Sequence, residues 1–296
     1  RSICWLGRQH EKLGEPAKAL ERYLSALQKC KQLSSRADYR VVVMLLHAIG
    51  KLYEDEKVDL QEMSLKCYNE EINLIHSKLH VELVQTTRML AESHFSPGML
   101  HKKRGETEKA IEHLEKALEL TNQCSKTSIR IATITDHLGM LHASREEFAV
   151  AKKYYSSAYS LYEQSVGRDD LTTSDCAFRL GKVLEAMESD LALDFFKESL
   201  RVHRLNMAED DGRTGEILLC MGRFFLQREA HQDAVKCFEE SLGIRKRLLG
   251  ECADVADTYH KLGQTYNGMS QDEKALIFYR ESVRVNKKVN DKDALY

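Results

Sequence analysis

Proline is nearly absent, with only Pro16 and Pro97 in 296 residues, and glycine is limited to fifteen. With so little punctuation, the composition points to one elongated helical array rather than to two ordinary domains. Long apolar runs are missing as well. Stretches without a formal charge reach only ten residues, as in Val41–Gly50, about half of what a membrane-spanning helix needs, so no membrane partner is expected. Charge of one sign does not dominate either. Forty-four Lys and Arg against 46 Asp and Glu leave a net charge of −2, which removes the basic field of a nucleic-acid binder. The eight cysteines lie 15 to 57 residues apart with no CxxC pair, against both a zinc site and a disulfide framework. A reducing, cytoplasmic setting is the expectation, and the lack of an Asn-x-Ser/Thr acceptor agrees with it. The opening at Arg1, without a signal pattern, predicts a piece of a longer protein.

Motifs that carry chemistry are also lacking. GxxxxGK[ST], GxSxG, HExxH and GxGxxG do not occur, so neither an enzyme nor a cofactor is expected. His76 and His80 stand four apart, a spacing compatible with a metal, but nothing at ligand spacing completes the set and no metal is assigned. Gly212-Arg213-Thr214-Gly215 reads as a loop before a helix. Arg245-Lys246-Arg247 reads as cations at a helix C-terminus, where the dipole favours them.

What the chain does contain is a repeat. Leu6-Gly7, Ile49-Gly50, Leu90-Ala91, Leu138-Gly139, Leu180-Gly181, Met221-Gly222 and Leu262-Gly263 align, their small residues 43, 41, 48, 42, 41 and 41 apart. After each comes a second small residue: Ala19, Ser64, Ala110, Ala151, Ala192, Ala234 and Ala275. Four residues later stand Tyr23, Tyr68, Leu114, Tyr155, Phe196, Phe238 and Tyr279, six of them aromatic in a chain only 7% aromatic. Three further on are Ala26, Glu71, Ala117, Ala158, Ser199, Ser241 and Ser282. Spacings of three and four on either side of a short polar turn predict two amphipathic helices per unit, with small residues where the backbones meet. Aromatics at this spacing are packing residues.

Two units depart from the pattern. The second carries about two extra residues near Glu54 to Gln61. The third carries about seven, and Phe95-Ser96-Pro97-Gly98 is expected to end or kink its first helix.

The pattern Leu-Gly-x-x-(aromatic or His), turn, Ala-x-x-x-(Tyr/Phe)-x-x-(Ala/Ser) resembles the tetratricopeptide repeat over essentially the whole chain. The long period is similar to that of kinesin light chain and Pins-type adaptors, and Leu248-Leu249-Gly250 through Asp254-Val255-Ala256 resembles the kinesin light chain linker. This resemblance implies an all-α, right-handed α-solenoid of about seven stacked helix-turn-helix repeats, in units 1–35, 36–78, 79–124, 125–166, 167–208, 209–250 and 251–291. It also implies a non-catalytic scaffold, or alternatively a structural or regulatory arm of a larger enzyme, such as a nucleotide-dependent switch or a ubiquitin-ligase receptor.

In such an array the residue after each small position faces the concave wall. These residues are Arg8, Lys51, Glu92, Met140, Lys182, Arg223 and Gln264, with Arg88, Arg179 and Lys261 on adjoining stripes. Clustered cations focus positive potential and favour carboxylates. The expected partner is therefore an acidic peptide segment held at Arg8, Lys51, Arg88, Arg179, Lys182, Arg223, Lys261 and Gln264, with one apolar anchor. Asp291 to Tyr296 reads as the start of another helix rather than a polar cap, so self-association through an uncapped end is a further expectation.

Overall fold

The computed structural model describes residues 2–32, 36–54, 58–79, 84–124, 129–206 and 211–293, and all their regular structure is helical. The helices are α1 (Ser2–Lys12), α2 (Pro16–Gln32), α3 (Arg36–Leu52), α4 (Val58–Lys78), α5 (Val84–Lys103), α6 (Thr107–Cys124) and α7 (Ile129–Ser144), followed by α8 (Phe148–Ser165), α9 (Leu171–Ala186), α10 (Leu191–Asn206), α11 (Gly212–Gln227), α12 (His231–Leu249), α13 (Ala253–Gly268) and α14 (Asp272–Asp293). The fold class is the expected all-α solenoid of helical repeats. Two compact units divide the chain, Arg1–Arg145 and Glu146–Tyr296. Unit 1 holds hairpins α1/α2, α3/α4 and α5/α6 with helix α7. Unit 2 holds helix α8 and hairpins α9/α10, α11/α12 and α13/α14.

The hairpins follow from a repeated turn. Seven residues after its glycine, and two past the end of the first helix, five hairpins place a residue with positive φ: Gly14 at 69°, Gly105 at 74°, Glu188 at 57°, Glu229 at 58° and Ser270 at 56°. The next N–H then reaches back five residues, from Glu15 to His10, Glu106 to His101, Ser189 to Leu184, Ala230 to Phe225 and Gln271 to Tyr266, each at 2.9 Å. This bond satisfies an orphan carbonyl and reverses the chain, so the second helix starts at once and runs antiparallel.

Packing explains the glycines. A Cβ on Gly50, Gly181, Gly222 or Gly263 would lie 2.8, 2.7, 2.5 or 2.7 Å from the ring of Tyr68, Phe196, Phe238 or Tyr279. No side chain fits there, and Tyr68, Phe196 and Phe238 are fully buried. The small residues three positions on are buried too, and Ser241 and Ser282 donate across the hairpin to the carbonyls of Gly215 and Ala256 at 2.7 and 2.8 Å. Glu71 is the exception in that series. Its buried carboxylate accepts from Ser93 Oγ at 2.7 Å and meets His47 Nδ1 at 3.3 Å.

The third hairpin corrects the alignment. Gly98, not Ala91, is the close-approach residue, since a Cβ there would meet Leu114 at 2.9 Å. Gly98 precedes Ala110 by twelve positions, as Gly7 precedes Ala19, so this turn has no insertion. The extra residues instead lengthen α5 at its N-terminus, where Leu90 and Ala91 pack with Val43, Ile75 and Leu120. The helix also runs on through Pro97, which was expected to end or kink it. Proline inside a helix costs about 3 kcal/mol through a lost ladder bond and a ring clash, but Ser96, Pro97, Gly98 and Leu100 are all buried. Packing on both sides holds the helical path.

Candidate functional site

In unit 2 the first helices α9, α11 and α13 lie side by side. Side-chain caps set the rotation of two of them. Asp170 accepts from the Thr172 N–H at 2.7 Å, and Asp211 accepts from the N–H groups of Arg213 and Thr214 at 3.2 and 3.1 Å. Once Gly181 and Gly222 are pressed against the second helices, the next residues, Lys182 and Arg223, project from the wall.

Those cations are not bare. Lys182 Nζ stands 3.6 Å from Glu216, and Arg223 donates to Glu185 at 3.1 Å. Arg213 bridges Asp175 at 3.0 Å and Glu216 at 2.6 Å. The result is a ladder of opposite charges between α9 and α11. Only 9% of the Glu185 side chain is exposed, and burial raises its pKa although Arg223 pulls the other way. Burial also pushes Asp175 up, but His203, Arg213 and Arg179 outweigh it and hold the carboxyl below its ordinary value. On α13, half-buried Lys261 donates to Gln264 at 3.4 Å.

Beside this ladder is a cleft of about 400 Å³ lined by Lys182, Gly212, Glu216, Leu219, Cys220, Arg223, Arg245, Leu248, Leu249 and Asp254. Leu248 and Leu249, at the end of α12, are 46% and 54% exposed. Arg245 is tethered at the rim through the Asp254 carbonyl and Thr258 Oγ1 at 3.2 and 3.3 Å. The cleft thus sets an aliphatic surface beside an ammonium and two guanidinium groups. Burial raises the Cys220 thiol to about 11, so it stays protonated and does not act as a nucleophile at neutral pH.

Sequence reasoning placed Lys182 and Arg223 together on this wall but missed Arg245, Leu248 and Leu249. In the sequence they belong to a helix end and a linker, and only the fold of α12 over α11 brings them to the cleft. His203 was missed as well. Its Nδ1 meets Asp211 Oδ2 at 2.8 Å, tying α10 to the cap of α11, and its Nε2 lies 3.7 Å from Asp175. Burial disfavours the imidazolium, but the two carboxylates outweigh it and raise the pKa.

In unit 1, Arg8, Lys51 and Arg88 are all exposed. Arg88 sits on the added turns of α5, and with Gly98 as the reference the residue after the small position is Met99 rather than Glu92. Glu92 is held by Arg130, whose guanidinium stacks 3.9 Å from the Phe95 ring. An unforeseen histidine group lies nearby. His94 Nδ1 and His113 Nδ1 are 3.2 Å apart, and the His101 ring stacks on His113 at 5.6 Å. Burial, then the neighbouring His113, lowers His94 to about 4. His76 joins His94 and His113 in a cleft of about 640 Å³, whereas His80 lies outside the described residues. Among the described residues no three His, Cys, Asp or Glu side chains are arranged to hold a metal, and no helix is long and apolar enough to cross a membrane.

A family model described as tetratricopeptide repeat matches residues 90–164, 130–204 and 213–288. No curated protein matches the chain in sequence. Among solved structures, BtubC (BKLC) from P. vanneervenii is similar at 18% identity and a TM-score of 0.63, over 77% of this chain and 92% of that one. The apo form of RapI aligns over 98% of both chains at 15% identity and a TM-score of 0.63. A putative kinesin light chain from Podosopora anserina with nearly identical TPR-like repeats aligns at 13% identity and a TM-score of 0.58, over 70% of this chain and 98% of that one. At these identities the likeness is one of fold.

Proposed function

Because the chain belongs to the tetratricopeptide repeat family, we propose that it works by binding, as a scaffold that captures an acidic segment of a partner protein on the first-helix wall of unit 2. The observation that carries this reading is the cleft itself, which places Lys182, Arg223 and Arg245 around the exposed Leu248 and Leu249. An aliphatic side chain of the partner would fill the apolar part, and neighbouring carboxylates would take the cations through charge-assisted hydrogen bonds. Arg179, Lys261 and Gln264 are the outlying contacts of the same wall. Arg8, Lys51 and Arg88 offer cations of the same kind in unit 1.

Each exposed ion pair contributes roughly 0 to 1 kcal/mol, so the leucines must supply the anchor. Titration calorimetry with a glutamate-rich peptide bearing one central leucine tests the reading. Binding should exceed that of a lysine-substituted counterpart, weaken from about 50 to 300 mM salt as screening tightens, and drop in Lys182→Glu and in Leu249→Ser. Equal binding of the glutamate and lysine peptides would refute it.

A further inference from the structure

Within the cleft, one carboxylate is placed where a ligand's acidic group would have to go. Glu216 lies 3.6 Å from Lys182 Nζ and 2.6 Å from Arg213, with about a third of its side chain open to solvent, and it lines the cleft beside Leu219 and Arg223. Glu185 occupies Arg223 in a different way. It is nearly buried and lies outside the lining, so no ligand reaches it without unpacking α9. Glu216 can be displaced. Its Arg213 contact is only one of two, since Arg213 also holds Asp175 at 3.0 Å, and its Lys182 contact is loose and solvated.

We infer that Glu216 is a built-in competitor, a stand-in for the partner's carboxylate that occupies Lys182 while the cleft is empty and turns away when an acidic segment docks. The inference rests on the proposed acidic-segment binding and names the residue that tunes it. Exchanging one carboxylate for another on the same ammonium yields little attraction, so Glu216 caps the affinity for acidic segments. An apolar segment without acid makes no such exchange and would have to cover the partly solvated Glu216–Lys182 pair, which costs desolvation.

The test is fluorescence anisotropy with a fluorescein-labelled peptide of alternating Glu and Ser around one Leu, and with its Lys-for-Glu counterpart, on wild type, Glu216→Gln and Glu229→Gln. Gln keeps the shape of Glu216 and removes its charge. Glu229 changes the net charge equally from beyond the far end of α11, about three helical turns or roughly 16 Å from Glu216, more than a Debye length at physiological salt. The expected result is binding of the Glu peptide about two- to fivefold tighter in Glu216→Gln, the size of one exposed pair, with Glu229→Gln like wild type and the thermal midpoints unchanged. If wild type binds the Glu peptide while Glu216→Gln binds equally or more weakly, the competitor role is overturned and the binding reading stands. If neither protein binds it better than the Lys peptide, the binding reading falls and the competitor role with it.

Discussion

Two glycines of the same hairpin should respond oppositely to the same substitution. In Gly222→Ala the new methyl would sit 2.5 and 2.6 Å from Cε1 and Cδ1 of Phe238. Ordinary carbon contacts lie near 3.5 to 4.0 Å, so the ring must retreat by about 1 Å. It has little room. Phe238 is fully buried in a cluster with Leu219, Ala234 and Leu262, and forced overpacking of this kind costs about 1 to 3 kcal/mol or more. The gain in helix propensity from glycine to alanine is about 0.8 to 1 kcal/mol, so the clash wins. Gly222→Ala should lose up to about 2 kcal/mol. In Gly243→Ala, inside α12, the methyl meets only the flexible tip of Arg247 at 3.5 Å, and the propensity gain remains at about 0.5 to 1 kcal/mol. Urea unfolding followed by far-ultraviolet circular dichroism should move the midpoint down for the first variant and up for the second. Stabilisation by Gly222→Ala, or equal shifts in the same direction, would refute the close-approach account of the repeat.

Arg223→Ala should destabilise by about 1 to 2 kcal/mol at pH 7, because the nearly buried Glu185 loses its guanidinium partner. Glu185 already has a raised pKa and should rise further in this variant. The folded chain then holds a proton that the unfolded chain releases above about 4.5, so stability falls as pH rises through that window. Melts should show a smaller deficit at pH 5 than at pH 7, and Glu185→Gln added to Arg223→Ala should recover most of the loss. Glu229→Gly should stabilise by about 0.5 to 1 kcal/mol in the same urea assay, since Glu229 holds φ at 58° on the surface and glycine adopts that conformation without strain. His203 has a pKa raised above its ordinary value of about 6.5 by Asp175 and Asp211, against the effect of burial. Its contribution is complete below 6.5 and is lost as pH climbs through the raised folded value. Wild type should therefore lose stability relative to His203→Gln over that window, and an NMR titration of the imidazole should locate the higher midpoint.

The class of fold is legible in the sequence, because the recurring glycine, alanine and aromatic positions leave a helix no choice of face. A Cβ at Gly181, Gly222 or Gly263 collides with Phe196, Phe238 or Tyr279, and that constraint is written as a spacing. The sequence also places Lys182 and Arg223 on one wall, since each follows its glycine directly. The third hairpin was equally legible, as Gly98 precedes Ala110 by the same twelve positions as Gly7 precedes Ala19. Pro97 obscured it, because the local helix penalty of proline is visible in sequence and the burial that overrides it is not. Which charges neutralise each other depends on packing between helices. Glu185 with Arg223, and Glu216 with Lys182, pair across helices 38 and 34 positions apart, and no periodicity specifies the rotamers that bring them together. The cleft is likewise a product of packing, for Leu248 and Leu249 join Lys182 in its lining only where α12 turns back over α11, and that placement follows from burial and distance, which no spacing in the sequence records.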